Sequence, residues 1–327
     1  MSREAIVSVD VGGTLIAGGL VSPEGTVLTE AQAGTHERGP GTALVTLEAL
    51  LDSLLSAAPR EGLRLQGMGV GVPGAVDADE GVVGEDIQNV PELAYVALAE
   101  RLEERFGLAA FVDNDVNAQA LGEWRFGAAR ESRSLVLLSV GTGVGGGIVL
   151  DGRLVRGAAG YGGELGHIPV KFDGRPCFCG GQGCLKAYVA GPDIAVNAQE
   201  RLKNVADSRL LGLAGGDAQA VTAAHVFRAA EAGDALAVAL VEEVCQALGA
   251  GLGAIINGLN PEVLLVTGGV AESLKPLETT IRHWTEHYTF ARALGATRLE
   301  VLSLDKRVAL RGGVALFLYE IERRARA

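Results

Sequence analysis

The feature that most constrains this chain is a glycine-lined hairpin that occurs twice. Ser8-Val-Asp-Val-Gly-Gly-Thr14 is followed by Gly18-Gly-Leu-Val-Ser-Pro-Glu-Gly25, and Ser139-Val-Gly-Thr-Gly143 by Gly146-Gly-Ile-Val-Leu-Asp-Gly152. Each reads as a strand, a Gly/Thr turn, a second strand and a second turn. The offset is nearly constant: Ser8 and Ser139 lie 131 residues apart, Gly18 and Gly146 128. Two copies of one hairpin, each opening an α/β half, predict a duplicated architecture with a cleft between the halves. Chance likeness of two Gly-rich hairpins is the competing explanation. Glycine makes up 47 of 327 residues, about twice the usual ~7% share, which requires many tight turns or close backbone approaches.

Around these hairpins, strand-like and helix-like runs alternate. Ala5–Val9, Leu65–Val70, Ala110–Val112, Leu135–Val140, Val263–Val266 and Leu299–Leu302 are short apolar or β-branched runs bounded by turn residues. Leu44, Leu47, Leu51, Leu54 and Leu55 share a helical face after Thr42, a plausible cap. Glu92–Phe106, Asp234–Leu252 and Gly312–Arg323 also read as helices. The alternation implies an α/β protein with helix-covered sheets. A net charge of −12 argues against a nucleic-acid surface, so an anionic ligand must be held by backbone amides, a helix N-terminus or a bound cation. The N-terminus enters a strand-like run without a signal peptide's apolar core, and Ala247–Leu259 falls short of a membrane span. The expectation is a cytoplasmic protein without membrane partners, where clustered cysteines more often mean metal than disulfide.

The glycine loops admit several phosphate-binding explanations. The Gly-x4-Gly-Lys-Ser/Thr pattern is absent. Gly-x-Gly-x-x-Gly occurs at Gly141, Gly143, Gly146 and at Gly69, Gly71, Gly74, but a dinucleotide fingerprint must open a helix, and neither does. What remains is a turn whose successive N–H groups form a concave donor nest for a phosphate chain, with the Thr14 and Thr142 hydroxyls as further donors. A carboxylate beside polyphosphate is repulsive unless a hard cation intervenes, so Asp10 reads as a direct or water-mediated Mg²⁺ partner. Turn capping is the alternative for Asp10.

Asp113, Asn114 and Asp115 follow a strand and precede a helix-like run, a position where open α/β sheets bind ligands. Phosphoryl transfer to an alcohol needs a carboxylate that accepts the hydroxyl proton, together with positioning and charge neutralisation. Asp115 is the candidate base, and Asn114 offers a donor and an acceptor to a neighbouring hydroxyl. Helix N-capping is the simpler role, and is the one assigned to Asp113. Further on, Cys177, Cys179 and Cys184 lie within eight positions, ten residues after His167, matching a closed Cys₃His zinc set. Such a metal shapes a loop rather than catalyses, and would aim Glu164, three residues before His167. Cys245 reads as a core residue.

Taken together these residues resemble the ROK proteins (repressors, open reading frames and sugar kinases) of the actin/hexokinase-like ATPase superfamily, over essentially the whole chain. Asp10-Val-Gly-Gly-Thr14 looks like the first phosphate loop, Gly141-Thr-Gly-Val-Gly-Gly-Gly147 like the second, Val266-Thr-Gly-Gly-Val270 like the adenosine segment, and Gly71-Val-Pro-Gly74 like a loop lining the sugar cleft. The resemblance implies a duplicated actin-like (ribonuclease H-like) two-domain fold. The smaller domain would comprise residues 1–114 plus about 306–327, the larger 115–305. It implies nucleotide contacts from Asp10, Gly12, Gly13, Thr14, Gly141, Thr142, Gly143, Gly268 and Gly269. It implies sugar contacts from Gly74, Asn114, Asp115, Glu164 and His167, with Asp115 the catalytic base, and zinc on His167, Cys177, Cys179 and Cys184. ATP, Mg²⁺ and a structural Zn²⁺ are the implied cofactors, and a dimer or tetramer is expected by analogy.

The sequence departs from the family twice. Lys186 stands where the cysteine motif usually ends in a sugar-binding glutamate, and Leu15 where lysine commonly follows Gly-Gly-Thr. A lysine only donates, so a contact needing an acceptor is lost. The expected activity is ATP-dependent phosphorylation of a hexose primary hydroxyl, glucose foremost. N-acetylmannosamine, N-acetylglucosamine or fructose are alternative acceptors, and a non-catalytic sugar sensor is the rival class. A DNA-binding regulator is disfavoured because nine residues precede Asp10.

Overall fold

Both glycine hairpins fold as predicted, each inside a five-stranded sheet. In the computed structural model, which describes residues 3–85, 87, 89–205, 208–303, 305 and 307–326, the strands are β1 (Arg3–Val11), β2 (Leu15–Val21), β3 (Val27–Gly34), β4 (Leu63–Val72), β5 (Val76–Asp77), β6 (Val82–Val83), β7 (Ala110–Asn114), β8 (Leu135–Val140), β9 (Val144–Leu150), β10 (Arg153–Leu154), β11 (Val263–Thr267) and β12 (Arg298–Val301). The helices are α1 (Ala43–Ala57), α2 (Leu98–Phe106), α3 (Asp115–Phe126), α4 (Lys186–Val189), α5 (Gly191–Leu202), α6 (Arg209–Leu213), α7 (Ala223–Glu231), α8 (Ala235–Leu259), α9 (Ala271–Leu274), α10 (Glu278–Tyr288), α11 (Ala291–Ala296) and α12 (Val308–Arg324).

The first sheet runs β3-β2-β1-β4-β7 and the second β10-β9-β8-β11-β12. In the first, β2 and β3 are antiparallel while β1, β4 and β7 are parallel. The second repeats the order, with β9 and β10 antiparallel and β11 and β12 parallel. One order of connection used twice, each time from the glycine hairpin outward, is the duplication itself.

The chain packs as two compact units, Met1–Leu135 with Gly147–Gly163 and Asp305–Ala327, and Val136–Gly146 with Glu164–Leu304. The division differs from the one expected at Asp115, because α3 stays in the first unit against α12. A Cβ on Gly312 would lie 2.8 Å from the Ala118 carbonyl carbon, so the two helices cross at backbone contact. In this unit Val7, Val9, Ile16, Leu20, Leu47, Leu51, Val70 and Val112 are fully buried. Leu47, Leu51 and Leu54 form one face of α1, as their spacing predicts. Thr42 occupies the N-cap position without capping: its hydroxyl donates to the Gly39 carbonyl (2.6 Å), and Glu92 accepts from the Ala43 amide instead (3.1 Å). The helix expected over Glu92–Phe106 is broken. Pro91–Leu93 forms a single 3₁₀ turn, Tyr95 is left-handed (φ 61°), and α2 begins only at Leu98. The intervening residues bond to β6 instead, Val83 N–H donating to Val96 and Tyr95 N–H to Val83.

In the second unit α8 runs for 25 residues, from the capping Asp234, whose carboxylate accepts the Ala237 amide, to left-handed Asn260. It extends beyond the expected end at Leu252 and is, contrary to expectation, long and apolar enough to cross a membrane by length and composition. Its glycines explain that apolarity by packing: Cβ atoms on Gly249, Gly251 and Gly253 would lie 2.5–2.8 Å from Trp284, Leu185 and Tyr288. Cys245 on this helix is fully buried, as expected.

Candidate active site

Register assembles the first group of candidate residues. Asp10 pairs with Gly71 across β1 and β4, and Gly71 with Asp113 across β4 and β7, so three parallel strands end at one level. Gly71 is needed there, since a Cβ would lie 3.2 Å from the Asp115 Cα and 3.5 Å from an Asp10 carboxylate oxygen. The two acidic residues singled out from sequence are thus neighbours across one glycine. Burial pushes the Asp10 carboxyl up to about pKa 6. A carboxyl disfavoured as a bare anion suits a hard cation, and Mg²⁺ characteristically takes one or two carboxylates together with waters and phosphates.

The turn after β1 is held from outside. The Gly12 amide donates to Leu15 (2.9 Å), the Thr35 hydroxyl donates to the Gly12 carbonyl (2.6 Å), and the Thr35 amide to the Thr14 carbonyl (3.0 Å). Among the described residues the amides of Gly13 and Thr14 have no internal acceptor, and Thr14 is exposed, as a phosphate nest requires. Thr35 is fully buried and was missed, because nothing in the sequence near it marks a partner 23 residues away. Leu15 is 42% exposed beside this turn, so an apolar side chain borders the candidate phosphate nest.

At the start of α3 the roles are redistributed. Asn114, rather than Asp113, is the cap: its Oδ1 accepts from the Val116 and Asn117 amides (2.9 and 3.2 Å), and its Nδ2 donates to the Gly74 carbonyl (3.0 Å). Gly74 is left-handed (φ 83°) and so offers that carbonyl at little cost. Asp115 is partly buried in the first turn, where the helix dipole favours a carboxylate, and accepts from the Val116 amide (2.9 Å). Asp113 is buried in an ion network. Arg156 reaches it at 2.6 Å and Glu320 of α12 at 2.6 Å, while the Asn117 side chain donates to it at 2.9 Å. Burial alone would lower the Arg156 pKa, but the two carboxylates outweigh it and raise the value. Arg156 and Glu320 escape a local reading because their partner lies in a distant segment.

The second unit assembles the remaining residues. At the turn after β8 the Gly141 amide donates to Gly143 (2.9 Å), and its carbonyl accepts from Gly191 at the start of α5 (2.9 Å). The Val270 amide donates to Val140 (3.0 Å), and the position of a Cβ on Gly141 is 3.8 Å from the Gly269 nitrogen. Gly268 adopts φ 101° to make this approach. The second phosphate turn and the expected adenosine segment therefore lie side by side, with Thr142 and Gly143 exposed. Glu164 opens the 3₁₀ turn Leu165–His167, which sits directly on β9, where a Cβ on Gly166 would clash with the Val144 carbonyl.

His167 Nδ1 lies 3.5 Å from Cys177 Sγ, and Cys179 Sγ 3.8 Å from Cys184 Sγ; all four donor atoms fall within 4.8 Å of one another. A tetrahedral zinc with Zn–S ~2.3 Å and Zn–N ~2.0–2.1 Å sets S···S at about 3.8 Å and N···S at about 3.5 Å, so the donor set fits that ion. His167 Nε2 stands 4.0 Å from Glu164. Lys186 is occupied: its ammonium pairs with Asp193 of α5 at 2.9 Å and lies 4.6 Å from the centroid of the Phe178 ring, which meets His167 edge-on.

Matching sheets that each begin with a glycine hairpin, with acidic residues at strand ends, define the duplicated actin-like (ribonuclease H-like) ATPase class. Within that class the chain belongs to the ROK family, whose pattern matches residues 6–320. It is 34% identical to the glucokinase of Halalkalibacterium halodurans over 96% of this chain and 94% of that one. A ROK family glucokinase from Streptomyces griseus, solved in complex with glucose and AMPPNP, shares 32% identity with a TM-score of 0.77, over 95% of this chain and 98% of that one. A ROK family transcriptional regulator, a homologue of the E. coli MLC protein, shares 27% identity with a TM-score of 0.85, over 97% of this chain and 78% of that one.

Proposed function

We propose that this chain is a glucokinase, transferring the γ-phosphoryl group of ATP to the primary hydroxyl of glucose with Asp115 as the general base. One observation carries the reading: the β1–β4–β7 register sets Asp10 and Asp113 on either side of Gly71, and the position of a Cβ on Gly71 lies 3.5 Å from an Asp10 carboxylate oxygen and 3.2 Å from the Asp115 Cα, in a chain similar over nearly its whole length to a glucokinase.

The Asp115 carboxylate takes the hydroxyl proton as the sugar oxygen bonds to the γ-phosphorus. The bond from that phosphorus to the bridging oxygen breaks, ADP leaves with the electron pair, and the proton passes from Asp115 to solvent. Asn114 positions Asp115 by capping α3 and, after its bond to Gly74, keeps one N–H for a sugar hydroxyl. The Gly13 and Thr14 amides, which have no internal acceptor among the described residues, and the exposed turn at Thr142 and Gly143 would serve the phosphates, with Gly268 and Gly269 toward the nucleoside. Mg²⁺ held by Asp10 would neutralise charge on the transferred group. Zn²⁺ on His167, Cys177, Cys179 and Cys184 would fix the turn that carries Glu164.

A coupled assay across glucose, fructose, mannose and the N-acetylhexosamines tests the activity. Glucose-dependent ADP release is expected, and none with any sugar overturns it. Sugar binding by calorimetry without turnover identifies a sensor instead. Asp115→Asn lowers kcat about 10²–10⁴-fold while ATP affinity stays near wild type, a split that separates the base from a nucleotide contact.

A further inference from the structure

Outside the candidate active site, α10 carries His283-Trp-Thr-Glu-His287 on its outer side. His283 and His287 are both exposed and one helical turn apart, so their rings share a face, and Glu286 lies three residues after His283 on that side. The imidazole centroids are 4.6 Å apart. Two imidazoles on one ion at ~2.0–2.1 Å place their centroids roughly 4.5–5.2 Å apart, so the spacing already matches chelation. His287 Nδ1 lies 2.9 Å from the His283 carbonyl oxygen. A carbonyl only accepts, so Nδ1 is the donor, and in the neutral ring this leaves the Nε2 lone pair for a metal, the arrangement that prepares a histidine to ligate. The backbone beneath is firm: Trp284 donates its indole N–H to Glu242 of α8 at 2.6 Å, and its Cβ sits against Gly249.

We propose that His283 and His287 form a second metal site, a bidentate chelate on the face of α10 for a divalent transition ion of the Ni²⁺, Cu²⁺ or Zn²⁺ class. His-x-x-Glu-His on a helix is a spacing that zinc enzymes use, and imidazole donors select this class of ion over Mg²⁺ or Ca²⁺. The site is independent of the thiol cluster, from which it differs in having no sulfur ligand and in lying on a solvent-facing helix.

The neighbouring indole provides the readout. Trp284 lies 5.8 Å from the His283 ring and 5.3 Å from the His287 ring, and the only other tryptophan, Trp124, belongs to the first compact unit. Full-length protein carrying one equivalent of Zn²⁺, which the thiol cluster takes first, is expected on titration with Ni²⁺ to show saturable quenching of tryptophan emission. His283→Ala and His287→Ala should each weaken the apparent affinity by about tenfold or more, since losing even an outer-shell partner of a ligand costs 10–100-fold. Trp284→Phe should abolish the optical signal while calorimetry still detects Ni²⁺ binding. Glucose-dependent turnover should be unchanged in both histidine variants, which verifies that they fold. Quenching of equal affinity in the histidine variants, or no saturable quenching in the wild type, overturns the proposal.

Discussion

Asp10 shows how one residue trades stability for a task. Its folded pKa of about 6 exceeds the ordinary value of 3.8, so between those limits the folded protein holds the extra proton. The contribution of Asp10 to stability is therefore fully present below about pH 4 and is lost as pH rises through about 6. Asp10→Asn removes this dependence and should raise the ion-free stability at pH 7 by about 1–3 kcal/mol, while abolishing Mg²⁺-dependent nucleotide affinity. Urea denaturation at pH 4 and pH 7 measures the first effect and calorimetry with MgATP the second. Lys186 poses a different question. Because its ammonium is already paired with Asp193, Lys186→Glu would set two carboxylates together and should cost about 1–3 kcal/mol. Adding Asp193→Asn should recover most of that loss. A change in sugar preference seen only in the double variant would show that the ion pair, as well as the missing acceptor, sets selectivity.

Among the elements, the α3–α12 crossing decides where Asp115 stands. Gly312→Ala gains about 1 kcal/mol of helix propensity, yet its methyl would lie 2.8 Å from the Ala118 carbonyl carbon, and overpacking costs about 1–3 kcal/mol. The variant should be less stable than the parent, and a lower urea midpoint at unchanged slope is the result that verifies it. Arg156 fastens α12 to the strand that leads into α3, bridging Asp113 of β7 and Glu320. Arg156→Met leaves the buried Asp113 carboxylate without its cation, while Glu320 keeps Arg323 at 2.8 Å, and should cost about 3–5 kcal/mol. It should also lower kcat more than it raises the KM for glucose, since the base shifts with the end of β7. Parent-like kinetics in the folded variant would limit Arg156 to stability.

At the scale of the molecule, the two units repeat one strand order and differ in what they carry: carboxylates at strand ends in the first, the thiol cluster in the second. Removing metal with a chelator should lower the melting temperature through the second unit, because ligand binding to the folded state alone is folding energy. Calorimetric scans with and without zinc check this, and an unchanged transition argues against a bound ion. Much was legible in the sequence because it is recorded locally. Alternating apolar runs, the hairpin repeat, the Cys₃His spacing and the Asn114-Asp115 pair each concern neighbouring residues, and local periodicity and turn chemistry reveal them. What needed the tertiary structure were relations between distant segments: Asn114 taking the cap while Asp113 was drawn to Arg156 and Glu320, Thr35 closing the first phosphate turn, β6 pairing breaking the helix expected from Glu92, and α3 joining the first unit. Backbone propensity acts over a few residues, whereas burying a charge or crossing two helices at glycine depends on which surfaces meet, and that is settled only once the chain has folded.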